Sequence, residues 1–224
     1  MVTKAPLTEA IQDYLKAIYK LQDASGRVTI TAVARDQHVS AASASAMLKK
    51  LGALGLLDHE PYRGARLTEA GERVAVEVIR HHRLLELYLV ESLGMSWDEV
   101  HDEAEILEHV LSDELEELIA AKLGNPTIDP HGDPIPSPEL TLERDDSRRL
   151  YDLEPGGAGT FVRVSDADPE MLRFLAERGI VPGTRLRLVE RQPFDGPVTV
   201  KLNGKQEILG AVLARAMWIK EDKR

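Results

Sequence analysis

Four side chains of the kinds that bind divalent metals lie within nine residues of one predicted helix. His101, Glu105, Glu108 and His109 follow one another at intervals of 4, 3 and 1 residues. At about 100° of rotation per residue, all four project from one sector of that helix, directly beside its apolar stripe. A carboxylate at the edge of a core is unfavourable unless something positive pairs with it. The pattern therefore predicts a cluster that holds a cation.

Residues on two other predicted helices have the same chemistry. His82 and Glu86 lie four residues apart within an apolar stripe, and Asp13 lies on the first helix, opposite its apolar face. A mixed set of carboxylate and imidazole ligands suits a hard or borderline divalent ion. The alternative interpretation is a solvated acidic face, with histidines that form ordinary hydrogen bonds inside the core.

Charge is distributed unevenly along the chain of 224 residues. The formal net charge is −10, but residues 71–140 alone carry 17 acidic and four basic side chains, a net charge of −13. Residues 1–70 carry +2, and residues 141–224 carry +1. An acidic block of this kind either faces solvent or holds cations, and it must be screened or kept away from a nucleic-acid partner.

Composition excludes several classes of protein. With 43% hydrophobic and 29% charged residues, the chain is predicted to be soluble, with one large domain or two to three small ones. No apolar run approaches the roughly 20 residues that span a bilayer, and the N-terminus lacks the pattern of a secretion signal. The absence of Cys rules out disulfides, thiolate nucleophiles and thiolate metal ligands, and the expected location is a reducing cytoplasm.

The first third of the chain has the pattern of a winged helix-turn-helix. Apolar spacing predicts helices over residues 7–22 and 30–37, and Ser40 is placed to cap a third helix that ends near Leu54. Residues 55–67 then predict a β-hairpin with a basic tip. Three helices followed by a two-stranded ribbon form a winged helix-turn-helix, which is a DNA-binding arrangement.

The predicted third helix has the composition of a helix that enters the major groove of DNA. Its first turns consist of Ala and Ser, so the backbone can approach the bases, and two lysines follow. The residues expected to contact DNA are Ser40, Ser43, Ser45, Lys49 and Lys50, and in the wing Arg63 and Arg66. The alternative is a tightly packed helix rich in Ala and Ser, with ordinary surface lysines.

A mainly helical region is predicted to follow the hairpin. One helix is expected over residues 70–93, and a second from a capping box at Ser96–Glu99 to Leu123. Residues 125–138 contain five prolines, which predicts an ordered loop or linker rather than a regular element.

The last third of the chain predicts a small β-domain. Five short β-like runs lie within residues 159–219, and one helix interrupts them near residues 169–178. Asn203-Gly204 is a strong hairpin signal, and about 75 residues of this kind form an SH3-like small β-barrel. The predicted fold class is mainly α with β. Its domains are a winged helix-turn-helix at residues 1–72, a helical domain at 73–140 and an SH3-like domain at 141–224.

Four motifs together resemble a known family. They are DYLKAIY at Asp13–Tyr19, RHHRLLE at Arg80–Glu86 and, most specifically, VHDEAEILEH at Val100–His109 and DPHGDPIP at Asp129–Pro136. Over nearly its whole length the chain resembles the diphtheria-toxin-repressor-like (iron-dependent repressor) metalloregulators, particularly their manganese transport regulator branch. The resemblance implies a homodimer whose helical domain serves dimerisation and metal binding and whose C-terminal domain is SH3-like (FeoA-like).

The resemblance also implies two metal sites in each subunit. The positions of the primary, activating site are matched by Asp13, Glu105, Glu108 and His109. The second site is matched by His82, Glu86 and His101, with Asp129 and His131 as further ligands. From the SH3-like domain, the expected ligand is Asp168, with Glu170 as the alternative.

Three residues bear on the choice of metal within that family. Members that respond to iron carry Met and Cys where this chain has Asp13 and Glu105. Oxygen ligands at both positions favour Mn²⁺, with Fe²⁺ as the alternative. Lys16 lies where a two-domain manganese regulator has a Glu ligand, which favours two separated metal sites over a compact pair.

The sequence therefore predicts a metal-dependent transcriptional repressor, and not an enzyme, that senses Mn²⁺ and binds operator DNA of manganese and iron transport genes. Two other functions explain part of the pattern. A dinuclear carboxylate enzyme would use Glu-x-x-His pairs, whereas Glu105 is followed three residues later by Glu108, and the winged helix would have no role. A winged-helix regulator of an organic ligand would bind DNA regardless of chelators.

Overall fold

Three helices and a hairpin form the first part of the molecule. The structure is a computed structural model that describes residues 7–22, 26–60, 64–142, 146–166, 168–202 and 204–222. Its first elements are α1 (Glu9–Leu21), α2 (Ile30–Asp36), α3 (Ala41–Ala53), β1 (Leu57–Glu60) and β2 (Gly64–Leu67). This order is the one predicted for a winged helix-turn-helix.

Local hydrogen bonds account for where these helices begin. Thr29 Oγ1 accepts a hydrogen bond from the Ala32 N–H, and Ser40 Oγ accepts one from the Ser43 N–H. Each side chain thereby satisfies a backbone donor that has no partner within its own helix. The apolar faces of α1, α2, α3 and the hairpin meet in one buried core, so the position of α3 depends on the position of α1.

The helical region that follows differs from the prediction in one respect. Its elements are α4 (Glu69–Leu93), α5 (Val100–Leu107) and α6 (Asp113–Lys122). Residues 108–110 form a turn between α5 and α6, where the sequence pattern predicted one continuous helix. That prediction was wrong because Ser112 starts a new helix: its Oγ accepts a hydrogen bond from the Leu115 N–H at 3.3 Å.

The capping box predicted at Ser96–Glu99 is also wrong. The Ser96 hydroxyl donates to the Asp98 carboxylate, and α5 begins only at Val100. The Ser96 hydroxyl is therefore bonded to Asp98 and does not form the predicted capping box. Within the described ranges, no helix is both long enough and apolar enough to cross a membrane.

The C-terminal residues form a six-stranded antiparallel sheet. Its elements are β3 (Arg148–Arg149), β4 (Ala158–Val164), α7 (Pro169–Glu177), β5 (Arg185–Arg191), β6 (Val198–Leu202), β7 (Lys205–Leu209), α8 (Ala211–Arg215) and β8 (Met217–Glu221). The strand order is β3-β8-β4-β5-β6-β7, and every neighbouring pair is antiparallel. Inward-facing side chains of the sheet, α7 and α8 enclose the fully buried Phe161.

The five predicted strands and the predicted helix of this region are present, whereas β3 and α8 were not predicted. Asn203 of the expected Asn-Gly turn lies outside the described residues. Leu202 and Lys205, on either side of that turn, are paired in the antiparallel register of a two-residue hairpin.

The chain divides into two compact units. The first consists of Met1–His82, Leu107–Glu116 and Pro136–Thr141, and the second of Arg83–Ile106, Glu117–Ile135 and Leu142–Arg224. Residues 107–116 therefore belong with the winged helix in the first unit, although the sequence placed them in a separate helical domain. The three-domain division at residues 1–72, 73–140 and 141–224 stays a prediction.

Part of the proline-rich segment packs closely on strand β4 of the second unit. The Val164 N–H donates to the His131 carbonyl at 2.9 Å, and Ile128 pairs with Pro134 as a β-bridge. Gly132 has a φ of +90°, and a Cβ at this position would collide with the Val162 carbonyl oxygen. Only glycine therefore allows the loop to approach the strand this closely.

We predict that Gly132→Ala destabilises the protein by about 2 kcal/mol or more, because the new Cβ adds a steric clash to an unfavourable φ. The matched control is Gly124→Ala, since Gly124 has a φ of +77° but no atom near its absent Cβ. That control is expected to lose about 1 kcal/mol from the backbone conformation alone. Denaturant unfolding followed by tryptophan fluorescence measures both values, and equal losses would contradict the packing argument.

Candidate metal centres

Three predicted ligands come together in the first unit. Asp13 lies on α1, and Glu108 and His109 lie in the turn after α5. One ligand atom from each of the three lies within 4.8 Å of the other two. His109 Nε2 lies 3.0 Å from Asp13 Oδ1 and 3.7 Å from Glu108 Oε1. We call Asp13, Glu108 and His109 the α1 cluster.

Gln12 orients the imidazole of this cluster. Gln12 Oε1 lies 2.6 Å from His109 Nδ1. Because an amide oxygen only accepts hydrogen bonds, Nδ1 carries a proton and donates it to Gln12, and Nε2 is the ring nitrogen that faces Asp13. A second partner that fixes the tautomer in this way is typical of metal-binding histidines. The sequence analysis missed Gln12, and its only signal was its position next to Asp13.

The carboxylate of Glu108 is buried between two nitrogen groups. The residue is 1% exposed, Lys16 Nζ lies 2.6 Å from its Oε1, and His82 Nδ1 lies 2.5 Å from its Oε2. His82 Nδ1 meets Glu108 within the first unit, and the predicted place of His82 in the second site with Glu86 stays a prediction. Both contacts supply the positive charge or the hydrogen bond that a buried carboxylate requires.

Ionic contacts brace the turn that carries Glu108. His81 Nδ1 lies 3.1 Å from the Glu108 carbonyl oxygen, and His81 Nε2 lies 2.9 Å from Glu116 Oε2. Arg80 Nε donates to the same Glu116 carboxylate at 2.5 Å. Burial lowers the pKa of His81, but the hydrogen bonds to Glu116 and to the Glu108 carbonyl outweigh it and raise the pKa. Both ring nitrogens therefore donate, which ties the turn to α4 and α6.

A second cluster lies wholly in the second unit. His101 Nδ1 is 3.3 Å from Glu86 Oε1 and 3.2 Å from Asp166 Oδ2. Hydrogen bonds to Asp166 and to Glu86 raise the pKa of His101 to about 10. The two carboxylates therefore strongly favour positive charge at this point. We call Glu86, His101 and Asp166, with the neighbouring Asp129 and His131, the α4 cluster.

His131 and Asp129 approach Glu86 from the proline-rich segment. His131 Nε2 donates to the Trp97 carbonyl at 2.6 Å, so its Nδ1 is directed toward Glu86 Oε2, 3.6 Å away. Burial lowers the pKa of His131, but Glu86 and Asp129 outweigh it and raise the pKa to about 9. Asp129 Oδ1 accepts hydrogen bonds from the backbone N–H groups of His131 and Asp133, each at 2.9 Å, which shapes the loop.

The choice of Asp168 from the C-terminal domain requires a correction. Asp168 is the N-cap of α7, and its Oδ1 accepts hydrogen bonds from the Glu170 and Met171 N–H groups. Asp166, two residues earlier, is the carboxylate that reaches His101. Pro169 at the first helical position fixes the start of α7, so the aspartate directly before it is committed to capping. The runner-up, Glu170, is exposed on the first turn of α7.

Glu105 belongs to the second unit, where its Oε1 lies 3.9 Å from His101 Nε2. Its side chain is partly exposed. Its predicted role in the primary site is not decided by these distances and stays a prediction.

Both clusters have the chemistry that a divalent cation requires. Each combines carboxylates with imidazoles, and two of the histidines, His109 and His131, are held by acceptors that leave one nitrogen directed at a carboxylate. Oxygen and imidazole donors suit a hard or borderline ion such as Mn²⁺, Fe²⁺ or Zn²⁺. The residues present therefore fit a bound metal.

The start of α3 presents small side chains to solvent. Ala41, Ala42 and Ser43 are exposed, which disfavours the alternative of a tightly packed helix. Of the residues predicted to contact DNA, Ser40, Ser43, Lys49 and Lys50 are exposed, Ser45 is half-buried, and Arg63 lies outside the described residues. The half-exposed Arg66 faces Asp58 across the hairpin at 3.6 Å.

Comparison with known protein families covers most of the chain. Residues 6–65 match the iron dependent repressor N-terminal DNA binding domain, and residues 68–137 match the iron dependent repressor metal binding and dimerisation domain. Residues 148–221 match the FeoA domain. The predicted fold class, with a helical DNA-binding part, a helical dimerisation part and an SH3-like β-domain, is thereby confirmed.

Full-length relatives agree with these matches. The chain is 32% identical to the iron-dependent repressor IdeR of Mycobacterium tuberculosis over 215 residues, which cover 90% of this chain and 92% of IdeR. It is 32% identical to the diphtheria toxin repressor of Corynebacterium efficiens over 227 residues, 96% of each chain. A solved manganese-dependent transcriptional repressor in complex with manganese is 44% identical and superposes with a TM-score of 0.88, covering 94% of this chain and 99% of that one. The chain therefore belongs to the iron-dependent repressor family of metal-dependent, DNA-binding transcriptional repressors, to which the diphtheria toxin repressor belongs.

Proposed function

We propose that the protein is a Mn²⁺-dependent repressor of manganese and iron transport genes, and that Fe²⁺ is the alternative signal. The observation that carries the proposal is the α1 cluster, in which Asp13 and Glu108 provide oxygen ligands and His109 provides one oriented nitrogen. Similarity to a repressor solved with manganese supports the same ion.

Ligand hardness supports Mn²⁺ over the metals that bind more tightly. Mn²⁺ lies at the weak end of the divalent series and is selected by carboxylate-rich sites rather than by soft sulfur ligands. The chain has no Cys, and its α1 cluster contains no Met. The iron-dependent relatives leave Fe²⁺ as the second signal to test.

The α1 cluster couples the metal to the DNA-binding surface. Asp13 is part of α1, whereas Glu108 and His109 belong to the turn after α5. A metal ion bound by all three residues would therefore hold α1 against that turn. When bound, a divalent cation supplies the positive charge that makes the approach of two carboxylates favourable. Because α3 packs in the same core as α1, the presentation of its polar N-terminus to DNA depends on this contact. Metal and operator then strengthen each other's binding reciprocally.

The proposed active form is a homodimer. Large apolar side chains stay exposed in each unit, at Val110 and Leu115 in the first and at Leu93, Ile106 and Leu118 in the second. Exposed apolar residues of this kind are typical of surfaces that a partner covers. Two copies present two recognition helices, which matches a two-fold symmetric operator.

The alternative of a regulator that ignores metals is tested by measuring DNA binding. Fluorescence anisotropy of a labelled promoter fragment of a manganese transporter gene, or of the protein's own gene, is titrated with chelator-stripped protein. Mn²⁺, Fe²⁺ and Zn²⁺ are then added separately at fixed salt. We expect Mn²⁺ to raise the affinity about 10- to 100-fold and a chelator to reverse the effect. Equal binding with and without metal would exclude metal gating and support an organic ligand.

We predict that His109→Ala and Glu105→Ala abolish the Mn²⁺-dependent gain in operator affinity and leave the dimer folded. The control is Glu103→Ala, which removes the same charge as Glu105→Ala from an exposed position of α5. Circular dichroism and analytical ultracentrifugation check folding and dimer formation. A normal metal response in His109→Ala would refute the assignment of the α1 cluster, and one in Glu105→Ala would remove only Glu105 from the ligand set.

The α4 cluster is proposed as a second metal site, and we predict that Asp166→Asn removes one of two bound Mn²⁺ ions. An amide oxygen carries no charge and is a weaker ligand than a carboxylate. Asp168→Asn is the matched control, because Asn caps a helix as well as Asp does and α7 stays intact. Metal analysis after equilibrium dialysis gives the stoichiometry. Loss of the second ion in Asp168→Asn, and not in Asp166→Asn, would reverse the choice between the two aspartates.

A further inference from the structure

A lysine ammonium is buried in the α1 cluster. Lys16 lies one helical turn after Asp13 on α1, and the residue is only 6% exposed. Its Nζ lies 2.6 Å from Glu108 Oε1, and Glu108 itself is 1% exposed. Lysine is almost never buried to this extent unless it is paired. The Lys16–Glu108 pair is therefore an interior ion pair rather than a surface contact.

Lys16 holds the Glu108 oxygen that faces the other ligands. Oε1 is the oxygen that lies 3.7 Å from His109 Nε2, and that same nitrogen lies 3.0 Å from Asp13 Oδ1. The second oxygen, Oε2, meets His82 Nδ1 at 2.5 Å. A cation bound by Asp13, Glu108 and His109 thus requires the oxygen that the ammonium occupies.

We propose that Lys16 is an internal competitor for the metal of the α1 cluster. In the metal-free protein its ammonium takes the place of the cation and neutralises a carboxylate that is cut off from water. When a divalent ion binds, two positive charges meet at one carboxylate, and the ammonium must give up Oε1. Lys16 therefore raises the free metal concentration that activates the repressor. The inference rests on the proposed function of this cluster.

Lysine is suited to such an exchange by its shape. Its charge is compact and lies at the end of a flexible four-carbon chain, so the ammonium can leave Glu108 while the helix stays in place. An arginine would bind the carboxylate through a rigid planar fork and would be displaced less readily. A purely structural ion pair makes the opposite prediction, because its removal would weaken the cluster with and without metal.

The test compares charge removal at Lys16 with the same change elsewhere on α1. Lys16→Met and Lys16→Gln remove the charge, Lys16→Arg keeps it, and Lys20→Met removes a charge from an exposed position in the last turn of α1. Full-length, chelator-stripped proteins are titrated with Mn²⁺ by calorimetry, and the binding step that His109→Ala removes is analysed. Thermal unfolding is recorded with and without Mn²⁺.

We expect both neutral Lys16 variants to bind Mn²⁺ at least about tenfold more tightly, because a unit charge a few ångström from the metal is gone. Without metal they are expected to melt at a lower temperature, and Mn²⁺ is expected to raise that temperature more than in the unmodified protein. Lys20→Met is expected to change the affinity by less than about threefold. Lys16→Arg, which keeps the charge and is displaced less readily, is expected to bind Mn²⁺ no more tightly than the unmodified protein.

The other possible results distinguish a failure of the role of Lys16 from a failure of the proposed function. Equal or weaker Mn²⁺ binding by the neutral variants overturns the role of Lys16, while Mn²⁺ binding by the unmodified protein keeps the proposed function. If the unmodified protein does not bind Mn²⁺ at this step, the proposed function itself fails. If the neutral variants fold only after Mn²⁺ is added, the metal replaces the ammonium and the inference is supported. If they stay unfolded at saturating Mn²⁺, it is overturned.

Discussion

A carboxylate that is removed from water must have positive charge beside it, and this constraint organises both metal-binding clusters. Glu108 meets Lys16 and His82, and Glu86 meets His101 and His131. The partners come from different segments in each case, so the need to neutralise one buried carboxylate ties distant parts of the chain together. A divalent ion can replace the positively charged side chain, because the carboxylate already lies where a cation is favoured.

The break between α5 and α6 allows this arrangement in the first unit. A continuous helix would have kept His101, Glu105, Glu108 and His109 in one row, as their 4-3-1 spacing suggested. The helix ends at Leu107, so Glu108 and His109 lie in a turn and come together with Asp13 on α1, and Glu105 lies on α5 beside His101. The turn is held by ionic contacts of His81 and Arg80 with Glu116, so the ligand positions do not depend on helical geometry alone.

In the second unit, the α4 cluster is built from more segments of the chain than the α1 cluster. α4, α5, the proline-rich loop and the residues after β4 each contribute a side chain to the α4 cluster. The loop can do so because Gly132 admits the β4 backbone at close range and because Asp129 accepts two backbone hydrogen bonds. The two aspartates after β4 have different roles: Asp168 caps the N-terminus of α7, and Asp166 contacts His101. A sheet domain and a helical region are joined here through ionisable side chains rather than through apolar packing alone.

The sequence by itself determined the elements and the kinds of ligand. Most of the helices and strands and the hairpin follow from local periodicity and capping, and Glu108 and His109 were recognisable because carboxylates and imidazoles beside an apolar stripe need a cation. Asp13 was recognisable as a carboxylate opposite the apolar face of its helix. Interactions between segments decided the rest. The roles of Gln12, Lys16 and Asp166 depend on side chains up to about a hundred positions away in the chain. No local pattern records which buried carboxylate a given cation will reach, because that distance is set only when the packed segments meet.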